Sequence, residues 1–293
     1  MAARAHEIAQ ERAEARLGGV NQPLLYAAAV VLTLLFITPF FWTVSISLKQ
    51  IKELFQFPPL LLPETPQWGN YVQVWTRVPF GKWVVNTFII TGSAMAGTLL
   101  TASLVAYSFA RYKYPGRDLF FIATLSTMML PAEVTIIPQY LGFRQLDLLD
   151  TFWPLIIPAW LGGGAFYIFL LRQFFMTIPR DLDDAARIDG ASGFQIFWNV
   201  MLPLAKPALA TVAVISFIAN WDEFLRPLIY LNTTEKFPLS VGLRFFNNRG
   251  NETDPLDHLL MAAAVMVTAP CLVLFFCTQR YFVRGVITSG IKG

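Results

Sequence analysis

The chain is 293 residues long, 55% hydrophobic and only 14% charged, with a formal net charge of +3 and a mean hydropathy of +0.52. A soluble domain carries about 25% charged residues, so roughly half the charge needed to coat a water-facing surface is present. Disorder, a disulfide scaffold, nucleic-acid binding and an ordinary soluble enzyme are excluded together, leaving an all-α polytopic membrane protein.

Residues 1–23 read as a polar, helix-forming tail in which Arg4, Arg12 and Arg16 alternate with Glu7, Glu11 and Glu14. The apolar run behind it is too long for a cleavable signal. A spanning helix needs about 20 mostly apolar residues. Six such stretches follow in one transmembrane domain, 24–279, at 24–46, 84–109, 119–138, 151–171, 208–231 and 258–279. Residues 280–293 form a second tail. With the N-terminus placed in the cytoplasm, 13 of the 22 Lys and Arg fall on the inner side and nine on the outer. The short connection Arg111–Arg117 is sharper, with Arg111, Lys113 and Arg117 in seven residues. Both termini are therefore assigned to the cytoplasm.

Cys271 and Cys277 lie six residues apart on one helix, about 9 Å along its axis and on different faces, too far for a disulfide. His6 and His258 stand alone, so no metal site is expected. No G-x-x-x-x-G-K-[ST] loop occurs, and no nucleophile triad or carboxylate pair suggests catalysis. Glu133, Asp222 and Glu223 are the acids placed within spans. Charge is costly in lipid, about 2.5–3.5 kcal/mol on insertion scales, so these acids face a bundle interior, a wet cavity or the outer interface. Two readings stay open here. The acids form a proton path through a secondary transporter, or they lie near the outer interface and are solvated, while the nearby Asn220 and Trp221 suit bonding and stacking to a polar ring-shaped solute better than proton relay.

The inner segment 172–206 reads as two short helices. Asp181 is placed to cap the first, with Asp184 three residues on and Asp183 and Asp184 complementing the positive helix end. Ala185 and Ala186 leave a low surface, and Gly190 ends the helix by a left-handed turn. Ser192 caps the second, whose Phe194, Phe197, Trp198 and Met201 form one apolar face before Pro203. An interfacial hairpin and a docking element fit this pattern equally.

Asp184-Ala185-Ala186, three residues, Gly190, nine residues and Val200-Met201-Leu202-Pro203 resemble the EAA loop of ABC-importer permeases, with Asp184 where that family has Glu. The stretch Asn220 to Leu228 is similar to N-W-N-E-F-L-W-P-L of the carbohydrate branch, departing at Asp222 and Arg226. Shorter likenesses occur at Met129–Pro131, Pro238–Leu243 and Gln279–Gly293. Together they resemble the maltose-permease type, in its second, six-span membrane subunit.

The resemblance implies an ABC type I importer permease fold in a bacterial or archaeal plasma membrane. It implies uptake of a carbohydrate delivered by an extracytoplasmic solute-binding protein, with a non-sugar solute as the alternative within the family. It implies a second permease subunit and two ATPase subunits that bind ATP and Mg, so that this chain binds no cofactor. Asp184, Ala185, Ala186, Gly190, Leu202 and Pro203 would form the ATPase-coupling site. Asn220, Trp221, Glu223 and Glu133 are the candidate pathway residues. The outer segment 57–75, with Trp68, Tyr71 and Trp75, would seat the binding protein or anchor at the interface, and the C-terminal tail would reach the ATPases.

Overall fold

The computed structural model describes residues 22–249 and 256–290, and the secondary structure of these residues is helical throughout. The polar N-terminal tail lies outside them. Helix α1 (Gln22–Ser47) is apolar along its length, and none of its 18-residue apolar stretch is buried within the chain. The hydroxyls of Thr33, Thr38 and Thr43 donate to carbonyls four residues earlier, at 2.7–2.9 Å, so these hydroxyls are paired within the helix. Beyond it the chain folds back: the Lys49 ammonium donates to Leu60 O, and the Asn70 amide to Ser47 O and Lys49 O. Burial lowers the pKa of Lys49, with Glu53 opposing.

Helix α2 (Gly69–Arg77) leads into α3 (Phe80–Arg111), whose 32 residues extend about 48 Å. It is the mast of the molecule. Its buried positions are mostly small (Ala94, Gly97, Ala102, Ser103, Ala106, Ala110), which lets neighbouring helices approach closely. Against it pack α6 (Trp153–Trp160), α7 (Ala165–Thr177), α10 (Lys206–Trp221) and α12 (Leu239–Arg249). Between α3 and α6 lie α4 (Arg117–Ser126) and α5 (Ala132–Gln145). Helix α8 (Asp181–Ile188) and α9 (Gly193–Leu204) follow α7, and α11 (Leu225–Tyr230) follows α10. Helix α13 (Asp257–Gly290) packs against α1, α2, α10 and α12.

Four helices are long and apolar enough to cross a membrane, or six if each of two bent pairs is one span. The spans expected to be single rods are interrupted where the sequence carries Pro, Gly or charge. The third breaks at Pro131 into α4, a 3-10 turn and α5. The fourth breaks at Gly162, Gly163 and Gly164, all of positive φ, and runs on past Arg172 to Thr177. The fifth ends as a helix at Trp221, so Asp222 and Glu223 sit in a break before α11 and not inside a helix. At its other end α9 and α10 meet at 78°. Helix α13 continues unbroken through the start of the expected tail, to Gly290.

Two buried clusters hold the bundle. The inner one joins Ala102, Tyr107 and Phe109 of α3 to Leu171 and Phe175 of α7 and to Ile196, Phe197 and Met201 of α9. The outer one joins Val74, Phe80, Trp83, Trp221, Phe246 and Leu259. Gly163 shows how tight the packing on α3 is. At φ +71, a Cβ there would lie 2.8 Å from Ala102 Cβ and 2.9 Å from Thr98 O. Gly163→Val should therefore lower the melting temperature of the purified protein, through about 1–2 kcal/mol of left-handed strain plus about 1–3 kcal/mol of overpacking. Gly142→Ala, inside α5 with nothing within 4 Å of the new Cβ, should not lower it and should raise it slightly, by about 0.5–1 kcal/mol of helix propensity.

Candidate functional site

The inner hairpin of α8 and α9 is the first assembly that carries candidate residues. Helix α8 ends in a Schellman turn. The Gly190 N–H donates to Arg187 O at 3.0 Å, the Ala191 N–H to Ala186 O at 2.9 Å, and Gly190 has φ +82. A β-carbon is disfavoured in that conformation, which accounts for glycine there. The start of α8 differs from expectation. Arg180 already has helical dihedrals, so Asp181 lies inside the helix and no side chain caps it. Asp181, Asp183 and Asp184 act on the first turn by charge alone. Ser192 does cap α9, in a full capping box with Gln195.

The expected apolar face of α9 is divided. Phe197 and Met201 are buried in the inner cluster, whereas Phe194 and Trp198 stack on each other in the open, 6.2 Å apart. The division follows a π-helical turn, Phe197–Met201, in which Leu202 N–H bonds Phe197 O five residues back. The helix therefore runs through Pro203 to Leu204 and does not stop before it. Of the matched signature, Asp184, Ala185 and Gly190 are exposed together on α8 and Ala186 turns toward the core. Leu202 packs on the inner cluster and Pro203 stands exposed.

What roots this hairpin escaped the sequence reading. The Arg111 guanidinium, in the last turn of α3, donates through Nη2 to Ile178 O at 2.8 Å and places Nε 3.2 Å from Asp183 Oδ2 of α8. Both residues are buried, 8% and 5% exposed. Burial pushes the Asp183 carboxyl above the usual carboxylate range, against the attraction of Arg111. The signal in the sequence was an arginine still within the apolar register of its helix, but its partner lies 72 positions away.

On the outer side, Asp150 is a second anchor. Its carboxylate accepts from Asn232 N–H, Thr233 N–H, the Thr233 hydroxyl and the Lys236 ammonium, at 2.7–3.0 Å. The same outer loop is pinned to α3 by Trp83 Nε1–H to Thr234 O and by the Asn86 amide to Glu235 O and Phe237 O. Asp150 and Lys236 close one end of an open cavity of about 680 Å³ whose walls are Ile89, Ser93, Trp153, Ile156 and Trp160. Two indoles facing a polar end suit an amphipathic solute.

The candidate pathway residues are arranged differently. Asn220 and Glu223 meet at a small cavity of about 20 Å³ with Thr91 and Arg226, room for about one water. The Asn220 amide bonds back to Ser216 O, and Glu223 Oε1 accepts from Arg226 N–H at the start of α11. The Trp221 ring is buried, stacked on Phe217 and edge-on to Phe88, with no face presented to a solute. Glu133 is exposed in the first turn of α5 and is not brought to this group. In the outer segment Trp68 and Trp75 are exposed, while Tyr71 bonds to the Ser47 hydroxyl.

The family model for the binding-protein-dependent transport system inner membrane component matches residues 98–288, a stretch that contains the α8–α9 hairpin. The chain belongs to that family. It is 35% identical to the sn-glycerol-3-phosphate transport system permease protein UgpE of Pectobacterium atrosepticum, over 81% of this chain and 86% of that one. It is 34% identical to the arabinooligosaccharides transport system permease protein AraQ of Halalkalibacterium halodurans, over 79% and 81%. Among solved structures, a bacterial ABC transporter involved in import of the acidic polysaccharide alginate superposes with a TM-score of 0.79. That match has 29% identity and covers 92% of this chain and 98% of that one. The chain is thus a membrane permease component of an ABC importer with the type I permease fold, and the proton-coupled reading is displaced.

Burial raises the Asp150 pKa, but its hydrogen bonds from Lys236, Thr233 and Asn232 outweigh it and hold the carboxyl well below the usual range. A carboxylate depressed on folding stabilises fully above its unfolded pKa, about 4, and loses that contribution as pH falls. Asp150→Asn should cost about 1–2 kcal/mol at neutral pH and flatten the fall in melting temperature below about pH 4. Melting curves of both proteins across pH check this.

Proposed function

We propose that this chain is the permease subunit of a carbohydrate importer of a bacterial or archaeal plasma membrane, and that α8 is the helix through which partner ATPases drive it. The observation that carries the reading is the construction of α8. It is a short helix locked at its end by the Gly190 turn, tied to α3 by a buried ion pair, and exposing Asp184, Ala185 and Ile188. A helix held in this way moves as a unit when pushed.

In this reading Asp184, Ala185, Ala186 and Gly190 form the docking element, with Leu202 and Pro203 at the bend that passes its movement to α10. ATP and Mg are held by the ATPases and not by this chain. A second permease completes the pathway, and an extracytoplasmic binding protein delivers the solute. Asn220, Trp221, Glu223 and Glu133 are retained as pathway candidates only for a state in which the bundle has opened, because here they enclose no solute-sized space. The 680 Å³ cavity is the better candidate surface.

Carbohydrate is favoured as the substrate class by the arabinooligosaccharide relative, by the alginate transporter, and by the diacetylchitobiose uptake system permease protein NgcG of Streptomyces coelicolor, 29% identical over 90% of this chain. The glycerol-phosphate relative supports a second reading, a phosphorylated polyol.

Gly190→Pro should leave membrane insertion intact and abolish uptake, and Asp184→Lys should reduce ATPase recovery on co-purification about tenfold, as expected for a like-charge juxtaposition at a docking face. Normal uptake by the first variant, or full ATPase recovery with the second, contradicts the docking assignment. Mass spectrometry of the solute carried by the co-purified binding protein separates saccharide from polyol phosphate.

A further inference from the structure

At the inner end of the bundle, four arginines from three helices and one connection surround a single cavity of about 150 Å³: Arg111 of α3, Arg117 of α4, Arg172 of α7, and Arg180 just beyond α7, with Phe109 and Met176 beside them. No acid lines it. Two of the four are answered elsewhere, Arg111 by Asp183 and Arg117 by Asp118 at 2.8 Å. Arg172 and Arg180 form no ion pair within 4.0 Å among the described residues, and Arg180 acts on Asp183 only at longer range. The Arg172 guanidinium carbon lies over the Phe121 ring, 4.0 Å from its centroid, and its Nε is buried without a hydrogen-bond acceptor. Lys113 adds a fifth cation in an adjoining cavity that shares Arg117.

Like charges gathered around a low-dielectric space repel each other unless an anion joins them. Guanidinium forks match phosphate oxygens in pairs. The position of the cavity selects among phosphates. Apolar side chains stand exposed beside it, Met176 in its own lining, Leu119 in that of the adjoining cavity, and Phe120 and Ile122 on the same helix α4, an apolar belt next to the cations. A phosphate in the cavity with acyl chains along that belt satisfies both surfaces at once.

We propose that this cavity binds the phosphate headgroup of an anionic phospholipid from the cytoplasmic leaflet. The lipid would occupy Arg172 and Arg180 and brace Arg111, which in turn holds Asp183 of α8. The root of α8 is thereby fastened to the membrane as well as to α3.

The test uses the transporter purified in mild detergent with its co-purifying subunits. It is mixed with equal amounts of phosphatidylglycerol and phosphatidylcholine of the same chain length, and retained lipid is counted by native mass spectrometry. Each unpartnered arginine near the headgroups contributes about fivefold, so the wild type should prefer phosphatidylglycerol on the order of 25-fold. Arg172→Gln/Arg180→Gln should bring the ratio near one, and Arg172→Lys/Arg180→Lys should keep most of the preference. Equal retention of the two lipids by the wild type overturns the proposal, whatever the variants do. Displacement of phosphatidylglycerol by millimolar inorganic phosphate overturns the lipid source in favour of a free anion.

Discussion

The buried contact between Arg111 and Asp183 is the constraint on which the inner half of the molecule depends. It joins the end of the 32-residue mast to the first turn of an eight-residue helix that has no other ion pair to the bundle among the described residues. Breaking a buried pair by removing one partner costs about 3–5 kcal/mol, because the remaining charge is stranded. Burial raises the Asp183 pKa against the attraction of Arg111, so desolvation offsets part of what the pairing contributes. Such a contact contributes little net stability for its expense and is better understood as fixing one arrangement. Here that arrangement is the angle between α8 and α3.

The outer half is organised by a comparable economy of anchors. Asp150 gathers the loop after α11 with four hydrogen bonds, while Trp83 and Asn86 pin the same loop to the outer end of α3. Both ends of α3 are therefore polar clamps, and the middle is a run of small residues against which α6, α7 and α10 pack closely. In the proposed mechanism a displacement of α8 reaches α3 at one end and meets resistance at the other. The bends at Pro131, at the Gly162–Gly164 triplet and at Ala205 are the places where the remaining helices can yield.

Much of this was legible in the chain. Apolar runs locate the helices, Gly190 and Ser192 announce the turn between α8 and α9, and the EAA-like spacing points to the family to which the chain belongs. These signals are local, because a cap or a left-handed glycine acts within a few residues of itself. What was not legible required the third dimension. Asp181 looked like a cap, but Arg180 was already helical. Phe194 and Trp198 share a helical period with Phe197 and Met201, yet only the second pair, at the ends of the π-turn, is buried. Trp221 resembled a stacking platform and proved to be core, because Phe217 and Phe88 close on both sides of it. The Arg111–Asp183 pair and the four-arginine cavity join residues far apart in sequence, and no periodicity encodes such a meeting.

The central claim is that the tie at Arg111 converts movement of α8 into movement of the bundle. It is tested most directly by the number of solute molecules transported per ATP hydrolysed, measured in vesicles containing the complete transporter with Asp183→Asn. That variant preserves size and removes the charge facing Arg111, while Asp184 and Ala185 remain free to dock. The account predicts that ATPase subunits still bind and hydrolyse while the ratio falls by about tenfold or more, as a loss of buried pairing energy would produce. A ratio equal to that of the wild type, with the variant folded and assembled, would contradict it.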